Sequence, residues 1–265
     1  MIRPAEIQQK ASKEGIRDAQ IEKDYILSWI LIGIAHNELL SKSLVFKGGT
    51  VLKKFYFENY RHSEDLDFTL LNEKTNDEIR KAFENSFEYV KDETNISLSI
   101  HEFGEHETGN INLYIAYTGP LGGADRKVKV DISKDELLQF EIETKHLFST
   151  YSDHIESSLQ CYSLQEVMTE KMRSLLSRQQ PRDFYDLWYL SEIERMEMNR
   201  YMIEFETKAR HKGLKPANLE KRIDQIIPAF KVRWTGSLNE QIKDLPPFEQ
   251  VSRELGRHFR KLFNK

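Results

Sequence analysis

Two aspartates that lie two residues apart, Asp65 and Asp67, are the residues best suited to chemistry in this sequence. They fall in the segment 64–70, where apolar and polar residues alternate as on a half-buried β-strand. Because side chains alternate across a strand, both carboxylates point to one face, opposite the apolar residues. Adjacent carboxylates repel each other, and a divalent cation between them relieves the repulsion. The pair therefore predicts a Mg²⁺ or Mn²⁺ site built from oxygen ligands.

A third carboxylate, Asp131, lies on the polar face of a later alternating segment that contains Val128, Val130 and Ile132. If this strand pairs with the first one, the three aspartates converge. Two metal ions about 4 Å apart can then stabilise the attacking and leaving oxygens of a phosphoryl transfer. We therefore predict that Asp65, Asp67 and Asp131 form a two-metal site.

A glycine turn precedes the first two aspartates. Gly48 and Gly49 let backbone N–H groups approach a phosphate closely, and the helix that follows presents its positive end to an anion. Thr50 can cap that helix or hold a phosphate oxygen. Lys47 adds positive charge, and Ser63 shares the face of the aspartates. These five residues are predicted to bind the nucleotide.

Each of these motifs alone is weak evidence for a site. A Gly-Gly pair before a helix is most often only a turn, and an Asp-x-Asp pair is most often a solvated strand face. Their order along the chain is more specific: a turn, a helix, a strand with two carboxylates, and a later strand with a third.

A second cluster follows in the C-terminal half. Lys171 lies on the apolar side of the predicted helix 164–176, where it either extends its ammonium to solvent or points into a site. Pro181 begins the next helix, which carries Asp183 in its first turn and Asp186 beyond it. An acidic residue in a first turn is explained by the helix dipole alone, so Asp186 is the preferred functional candidate.

The bulk composition is that of a globular protein with a core of its own. The 265 residues are 39% apolar and 31% charged, and the single cysteine, Cys161, excludes a disulfide framework within one chain. A polar N-terminal segment and the lack of a long apolar run predict a cytoplasmic location without membrane association. Residues 171–265 hold 20 Lys+Arg against 13 Asp+Glu, although the net charge of the whole chain is −4. This basic half indicates a polyanionic partner, or else an ordinary solvated surface.

The hydrophobic periodicity predicts an α+β half followed by a helical half. About five strands are expected before residue 160, near 43–46, 64–70, 96–100, 111–117 and 128–132. Helices are expected at 4–14, 20–37, 50–57, 76–90, 164–176, 181–190, 198–212, 217–229, 237–243 and 247–263.

The order of these motifs resembles that of the nucleotidyltransferase superfamily that includes polymerase beta. More closely, the segments FKGGTVLKKFY, RHSEDLDFTL, KVKVDIS, TEKMRSLLSRQQPRDFYDLWYL and DLPPFEQV resemble the AbiEii/AbiGii nucleotidyltransferase toxin family. The resemblance covers most of the chain. One departure is the interval of fifteen residues, 50–64, between Gly49 and Asp65, which is slightly longer than the general superfamily pattern.

The resemblance implies a nucleotidyltransferase-like mixed sheet with flanking helices over 1–160. A helical bundle over 161–265 would complete the active site and bind the acceptor. The implied reaction moves a nucleoside monophosphate from an NTP to a hydroxyl of RNA, such as a tRNA 3′ end, and the toxin would have a cognate antitoxin. Lys171 would contact the triphosphate and Asp186 would belong to the site, while Arg178 and Arg182 are candidates for phosphate contacts or are simply solvated.

Two alternatives remain open. One keeps the chemistry and changes the acceptor to a small molecule or a protein. The other is a non-catalytic nucleotide-binding protein with the same fold. A hydrolase with an aspartate nucleophile is disfavoured, because Phe68, Thr69 and Leu70 continue the strand where such an enzyme needs a loop.

Overall fold

A computed structural model describes residues 1–107, 109–123 and 126–263. The chain divides into two compact units. The sheet unit consists of Met1–Glu136 and Ile142–Tyr162, and the helical unit consists of Leu137–Glu141 and Ser163–Lys265.

The sheet unit is built on one mixed sheet of seven strands in the order β3-β4-β5-β2-β1-β7-β6. The strands are β1 (Leu44–Lys47), β2 (Asp65–Leu70), β3 (Ser97–Glu105), β4 (Ile111–Thr118), β5 (Lys127–Ser133), β6 (Ile142–His146) and β7 (Ser158–Tyr162). β2 pairs in parallel with β5, and β1 pairs in parallel with β7, whereas the other neighbours are antiparallel. The strand with the two aspartates is therefore central.

Five helical segments belong to the sheet unit. They are α1 (Pro4–Glu14), α2 (Asp18–Ala35), α3 (Glu38–Ser43), α4 (Gly49–Val51), which continues as a π-helical turn over Leu52–Tyr56, and α5 (Asn76–Thr94). α2 is buried over most of its length and is almost wholly apolar from Tyr25 onward, as expected for a helix inside a core, while its first half carries the buried carboxylates Glu22 and Asp24. A capping box at Thr75 fixes the start of α5, since its hydroxyl accepts from the Glu78 N–H and the Glu78 carboxylate accepts in return.

The helical unit packs around aromatic side chains. Its helices are α6 (Leu164–Ser177), α7 (Pro181–Trp188), which continues as a π-helical turn over Tyr189–Ile193, α8 (Met202–His211), α9 (Leu219–Leu238) and α10 (Phe248–Phe263). Short 3₁₀ turns cover Met198–Tyr201 and Pro216–Asn218. Phe184 of α7 lies at the centre, and its ring contacts those of Phe230, Trp234, Phe248 and Phe259.

The predicted α+β class, with a mixed sheet and flanking helices, is confirmed. Several details differ. The helix α3 and the strands β6 and β7 were not predicted. The helix expected to end near Pro228 continues through the proline to Leu238, because packing on both sides outweighs the hydrogen bond that proline removes. The helix expected over 237–243 is then absent, and turns follow α9 there.

Within the described residues, no helix is both long enough and apolar enough to cross a membrane.

Candidate active site

The glycine turn lies between the end of β1 and the start of α4. Gly48 adopts a left-handed backbone with a φ of 82°, a conformation that favours glycine. The hydroxyl oxygen of Thr50 lies 2.7 Å from the carbonyl oxygen of Asp65 and 2.6 Å from the Ser63 hydroxyl. Thr50 can donate to the carbonyl while it accepts from Ser63. These contacts attach the turn to the first residue of β2.

The carboxylates of Asp65 and Asp67 share one face of β2, because Leu66 and Phe68 are fully buried on the other. The strand register places Lys47 of β1 and Asp131 of β5 directly beside Asp67, one on each side. Neighbouring strands are about 4.8 Å apart. The sheet therefore brings Lys47, Asp67 and Asp131 into one row across three strands, with Asp65 two residues from Asp67.

A lysine that the sequence analysis did not single out stands within this cluster. Lys129 is the register partner of Asp65, and its Nζ lies 2.7 Å from Oδ2 of Asp131. The side-chain amide of Asn112, on β4, donates to the other oxygen of Asp131. Partial burial opposes the charge of Lys129, but Asp131 and Asp65 together raise its pKa above the ordinary value.

Lys47, predicted to bind the nucleotide, is buried and has partners within the sheet unit. Its Nζ donates to the Ser133 hydroxyl at 2.8 Å and to the Glu136 carboxylate at 3.0 Å. These contacts tie the end of β1 to the end of β5 across the intervening strand. In this arrangement Lys47 links β1 to β5 across the sheet face that carries Asp65, Asp67 and Asp131, which we call the aspartate face.

The donor set fits a divalent cation in its chemistry. Asp65, Asp67 and Asp131 supply only carboxylate oxygens, all three are partly accessible, and Mg²⁺ prefers oxygen ligands. The backbone of Gly48 lies directly against Asp67, because a Cβ at this position would lie 2.6 Å from Oδ2 of Asp67. Within the described residues, however, no three acidic, histidine or cysteine side chains are arranged as a metal site. Mg²⁺ commonly takes one or two protein carboxylates and completes its shell with substrate phosphates and water, so Asp65 and Asp67 suffice as protein ligands.

The second predicted cluster lies in the helical unit. Lys171 of α6 is buried, with its Nζ 2.8 Å from Asp183 and 2.5 Å from Asp186 of α7. Arg178 makes a bidentate contact with Asp183, at 2.7 Å from Nε and 2.9 Å from Nη2. Burial alone would raise the pKa of Asp183, but Lys171 and Arg178 hold it below the ordinary value.

The helix dipole is therefore an incomplete explanation of Asp183. The residue is as fully buried as Asp186, and it binds both Lys171 and Arg178, while Lys171 also binds Asp186. Arg182 precedes Asp183 in the first turn of α7 and is partly exposed. The structure thus brings Lys171, Arg178, Asp183 and Asp186 together within the helical unit.

Some residues of the aspartate face had a signal in the sequence and others had none. Lys127, Lys129, Asp131 and Ser133 alternate with apolar residues, so Lys129 and Ser133 could have been assigned to the face of Asp131. Asn112 and Glu136 could not, because their positions depend on the register of β4 and on the path of the chain after β5.

Solved structures with this fold include nucleotidyltransferases. JHP933 from Helicobacter pylori matches with a TM-score of 0.62 and 15% identity, covering 94% of each chain. MenT4, a nucleotidyltransferase toxin from Mycobacterium tuberculosis H37Rv, matches with a TM-score of 0.59 and 17% identity, covering 77% of this chain and 70% of its own. The fold is therefore that of the nucleotidyltransferases.

A search of curated proteins returns no significant match. The profile of the family described as "Nucleotidyl transferase AbiEii toxin, Type IV TA system" matches residues 29–264. Because this match spans most of the chain, the chain belongs to that family and is a nucleotidyltransferase of the toxin–antitoxin type. The resemblance read from the motifs is confirmed.

Proposed function

We propose that the chain transfers a nucleoside monophosphate from an NTP to a hydroxyl of an RNA acceptor, with the tRNA 3′ end as the foremost candidate. The acceptor oxygen forms a bond to the α-phosphorus, the bond from that phosphorus to the bridging oxygen breaks, and pyrophosphate leaves. The observation that carries this proposal is the register of β1, β2 and β5, which puts Asp67 beside Asp131 and next to the Gly48 turn.

The residues of the sheet unit have distinct roles in this proposal. Asp65 and Asp67 hold divalent cations, Mg²⁺ or Mn²⁺, which when bound neutralise charge on the phosphates. Asp131 completes that site and accepts the proton of the acceptor hydroxyl, with Lys129 and Asn112 orienting its carboxylate. The backbone N–H groups of the turn at Gly48, Gly49 and Thr50 bind the β- and γ-phosphates.

Supporting roles are assigned to six further residues. Lys47 holds the aspartate face through Ser133 and Glu136, and Ser63 holds Thr50 against β2. Lys171 neutralises the triphosphate or positions it, a role that rests on the family motif, and Asp186 holds the ammonium of Lys171. Arg178 and Arg182 contact phosphates of the substrates. The catalysis is one of positioning and charge stabilisation.

The biological setting proposed is the cytoplasm, where the toxin acts on RNA and is opposed by a cognate antitoxin. The family supports the toxin class. The basic charge of residues 171–265 supports a polyanionic acceptor.

The experiment is a transfer assay with labelled NTPs, Mg²⁺ and total tRNA. Wild type is expected to label the RNA, and Asp67→Asn to abolish labelling, because the carboxylate charge is lost while the shape is kept. The matched control is Asp92→Asn, which removes an exposed carboxylate on α5. The absence of label transfer by wild type, with Asp67→Asn indistinguishable from it, would overturn the proposal. Label that survives ribonuclease would move the acceptor to a small molecule or a protein, and metal-dependent NTP binding without turnover would indicate a non-catalytic binding protein.

A further inference from the structure

A concave pocket within the helical unit is lined by cations and by no acidic side chain. Its volume is about 310 Å³, at the small end of the range for ligand sites. The polar part of its lining consists of Lys215, Lys221, Arg222, Asn218 and Gln225, and two leucines form the rest. We call it the basic pocket.

The local backbone explains why these cations converge. α8 ends at His211, Gly213 reverses the chain with a φ of 67°, and one 3₁₀ turn over Pro216–Asn218 leads into α9. Lys215 therefore precedes the turn, and Lys221 and Arg222 follow it in the first turn of α9. Cations are unfavourable at this end of a helix, because the macrodipole is positive there. An anion in the pocket would stabilise this arrangement.

The cations of the basic pocket have no protein partners within the described part of the chain. No hydrogen bond or ion pair involves the side chains of Lys215, Lys221 or Arg222, and Nε of Arg222 is buried without an acceptor. A buried donor without an acceptor costs about 1–3 kcal/mol. An oxygen-rich ligand would supply the missing acceptor.

Three other exposed cations of the helical unit are paired with glutamates. The pairs are Arg200 with Glu197 at 2.5 Å, Arg210 with Glu206 at 2.6 Å, and Lys231 with Glu249 at 3.0 Å. The cations of the basic pocket differ from these three in having no carboxylate partner among the described residues.

We propose that the basic pocket binds a phosphate of the RNA acceptor's backbone, an inference that rests on the proposed function. The three cations lie within the eight-residue segment 215–222, which holds one carboxylate, Glu220, so the positive charge is concentrated where a phosphate can bind. Lysine, arginine and amide side chains bind phosphates without reading the base sequence. The pocket therefore positions the acceptor and does not select its sequence.

The test measures binding of fluorescein-labelled total tRNA by anisotropy between 50 and 200 mM salt. Lys215→Gln/Lys221→Gln removes two exposed cations of the pocket. The magnitude of the slope of log K against log salt is expected to fall by about 0.7, the value for one lost phosphate contact, with affinity on the order of tenfold weaker at 100 mM salt. The matched control is Arg200→Gln/Lys231→Gln, which changes the net charge equally at two ion-paired sites of the same unit.

The outcomes distinguish a failure of the basic-pocket proposal from a failure of the proposed nucleotide transfer to RNA. Equal losses in both double variants, or no loss in either, would overturn the pocket while RNA labelling by wild type leaves the proposed function intact. Wild type that neither binds nor labels RNA would overturn both. If the pocket variant loses affinity for ATP measured without RNA, and keeps its affinity for tRNA, the pocket belongs to the nucleotide and the RNA assignment is wrong.

A second variant uses the buried donor itself. Arg222→Met keeps the aliphatic length and removes Nε, so the melting temperature of the protein alone is expected to stay equal or rise while tRNA binding weakens. Unchanged tRNA binding by Arg222→Met would contradict a phosphate in the pocket.

Discussion

Gly48 and Asp67 are so close that a single methyl group on the glycine would lie 2.6 Å from Oδ2 of the aspartate. The glycine is at the end of β1 and the aspartate is on β2, where it is the register partner of Lys47. The glycine turn and the carboxylate face are therefore one feature of the fold, since a side chain at the turn would displace the carboxylate.

Gly48→Ala is expected to abolish nucleotide transfer. The substitution adds backbone strain at a φ of 82°, about 1–2 kcal/mol, and it also moves Asp67. Transfer to total tRNA and the melting temperature measure the two effects.

The control for Gly48→Ala is Gly122→Ala. Gly122 also has a positive φ, 66°, but no atom lies within 4 Å of the position of its Cβ. Both variants are expected to lose a similar amount of stability, and only Gly48→Ala to lose activity. Equal activities at equal folded fractions would show that the contact with Asp67 is irrelevant.

Lys129 binds Asp131 and lies beside Asp65, so it occupies the aspartate cluster with a positive charge. Its removal is therefore expected to strengthen metal binding. In Lys129→Gln the carboxylates repel each other without a nearby cation, and the field on the aspartate face becomes more negative. The increase in melting temperature on adding Mg²⁺ should therefore be larger than in wild type. It is measured by differential scanning fluorimetry over a Mg²⁺ titration.

Lys127→Gln is the matched control, because Lys127 belongs to the same strand and lies 2.7 Å from His101, away from the aspartates. A Mg²⁺ response that is identical in wild type, Lys129→Gln and Lys127→Gln would count against a metal site on this face.

The strands that carry the aspartates could be predicted from the sequence because their apolar faces are buried. In β2 and β5 the alternation between apolar and polar residues is strict, and it identifies both the strand and the direction of each aspartate. β6 has no buried residue, and the residues of β7 alternate over only five positions, so neither differs from a loop in sequence. The element that carries chemistry was thus predictable, and the edge of the sheet was not.

Side-chain pairing could not be predicted to the same extent. Lys171 was placed correctly on the apolar side of α6, but its bonds to Asp183 and Asp186 depend on how α6 packs against α7. The position of Asp183 in the first turn of α7 was a sufficient reason for an acidic residue there, so its buried ion pairs with Lys171 and Arg178 were not predicted. Sequence position gives the face of a residue, whereas its partner is set by tertiary packing.

Asp183→Ala is expected to be mainly a stability variant. It removes a carboxylate that binds both Lys171 and Arg178, so Arg178 loses its bidentate contact while Lys171 keeps Asp186, and removing one member of a buried ion-pair cluster costs up to about 3–5 kcal/mol. Asp186→Ala leaves both Lys171 and Arg178 bound to Asp183, so a smaller loss of stability is expected, together with a loss of transfer. The melting temperatures and the transfer rates of the folded variants measure these effects. A stable Asp183→Ala without activity would instead identify Asp183 as the functional aspartate.

The pH dependence of stability is expected to be set in part by Glu14 and His62, whose Oε2 and Nε2 atoms lie 2.7 Å apart. Burial opposes the charge of Glu14, but His62 and Lys10 lower its pKa to about 2 from 4.5, so its stabilisation is complete above pH about 4.5 and is lost as the pH falls toward about 2. Burial also opposes the charge of His62, but Asp24 and Glu14 raise its pKa, so its stabilisation is complete below pH about 6.5 and is lost as the pH rises through the folded pKa. The free energy of unfolding, from denaturant titrations, should therefore decline as the pH falls below about 4.5 and as it rises above about 6.5. Glu14→Gln should flatten the acid decline, whereas Glu84→Gln, which removes an exposed glutamate near Arg80, should leave it unchanged. An acid decline of the same size in Glu14→Gln and in wild type would assign the acid sensitivity to other carboxylates.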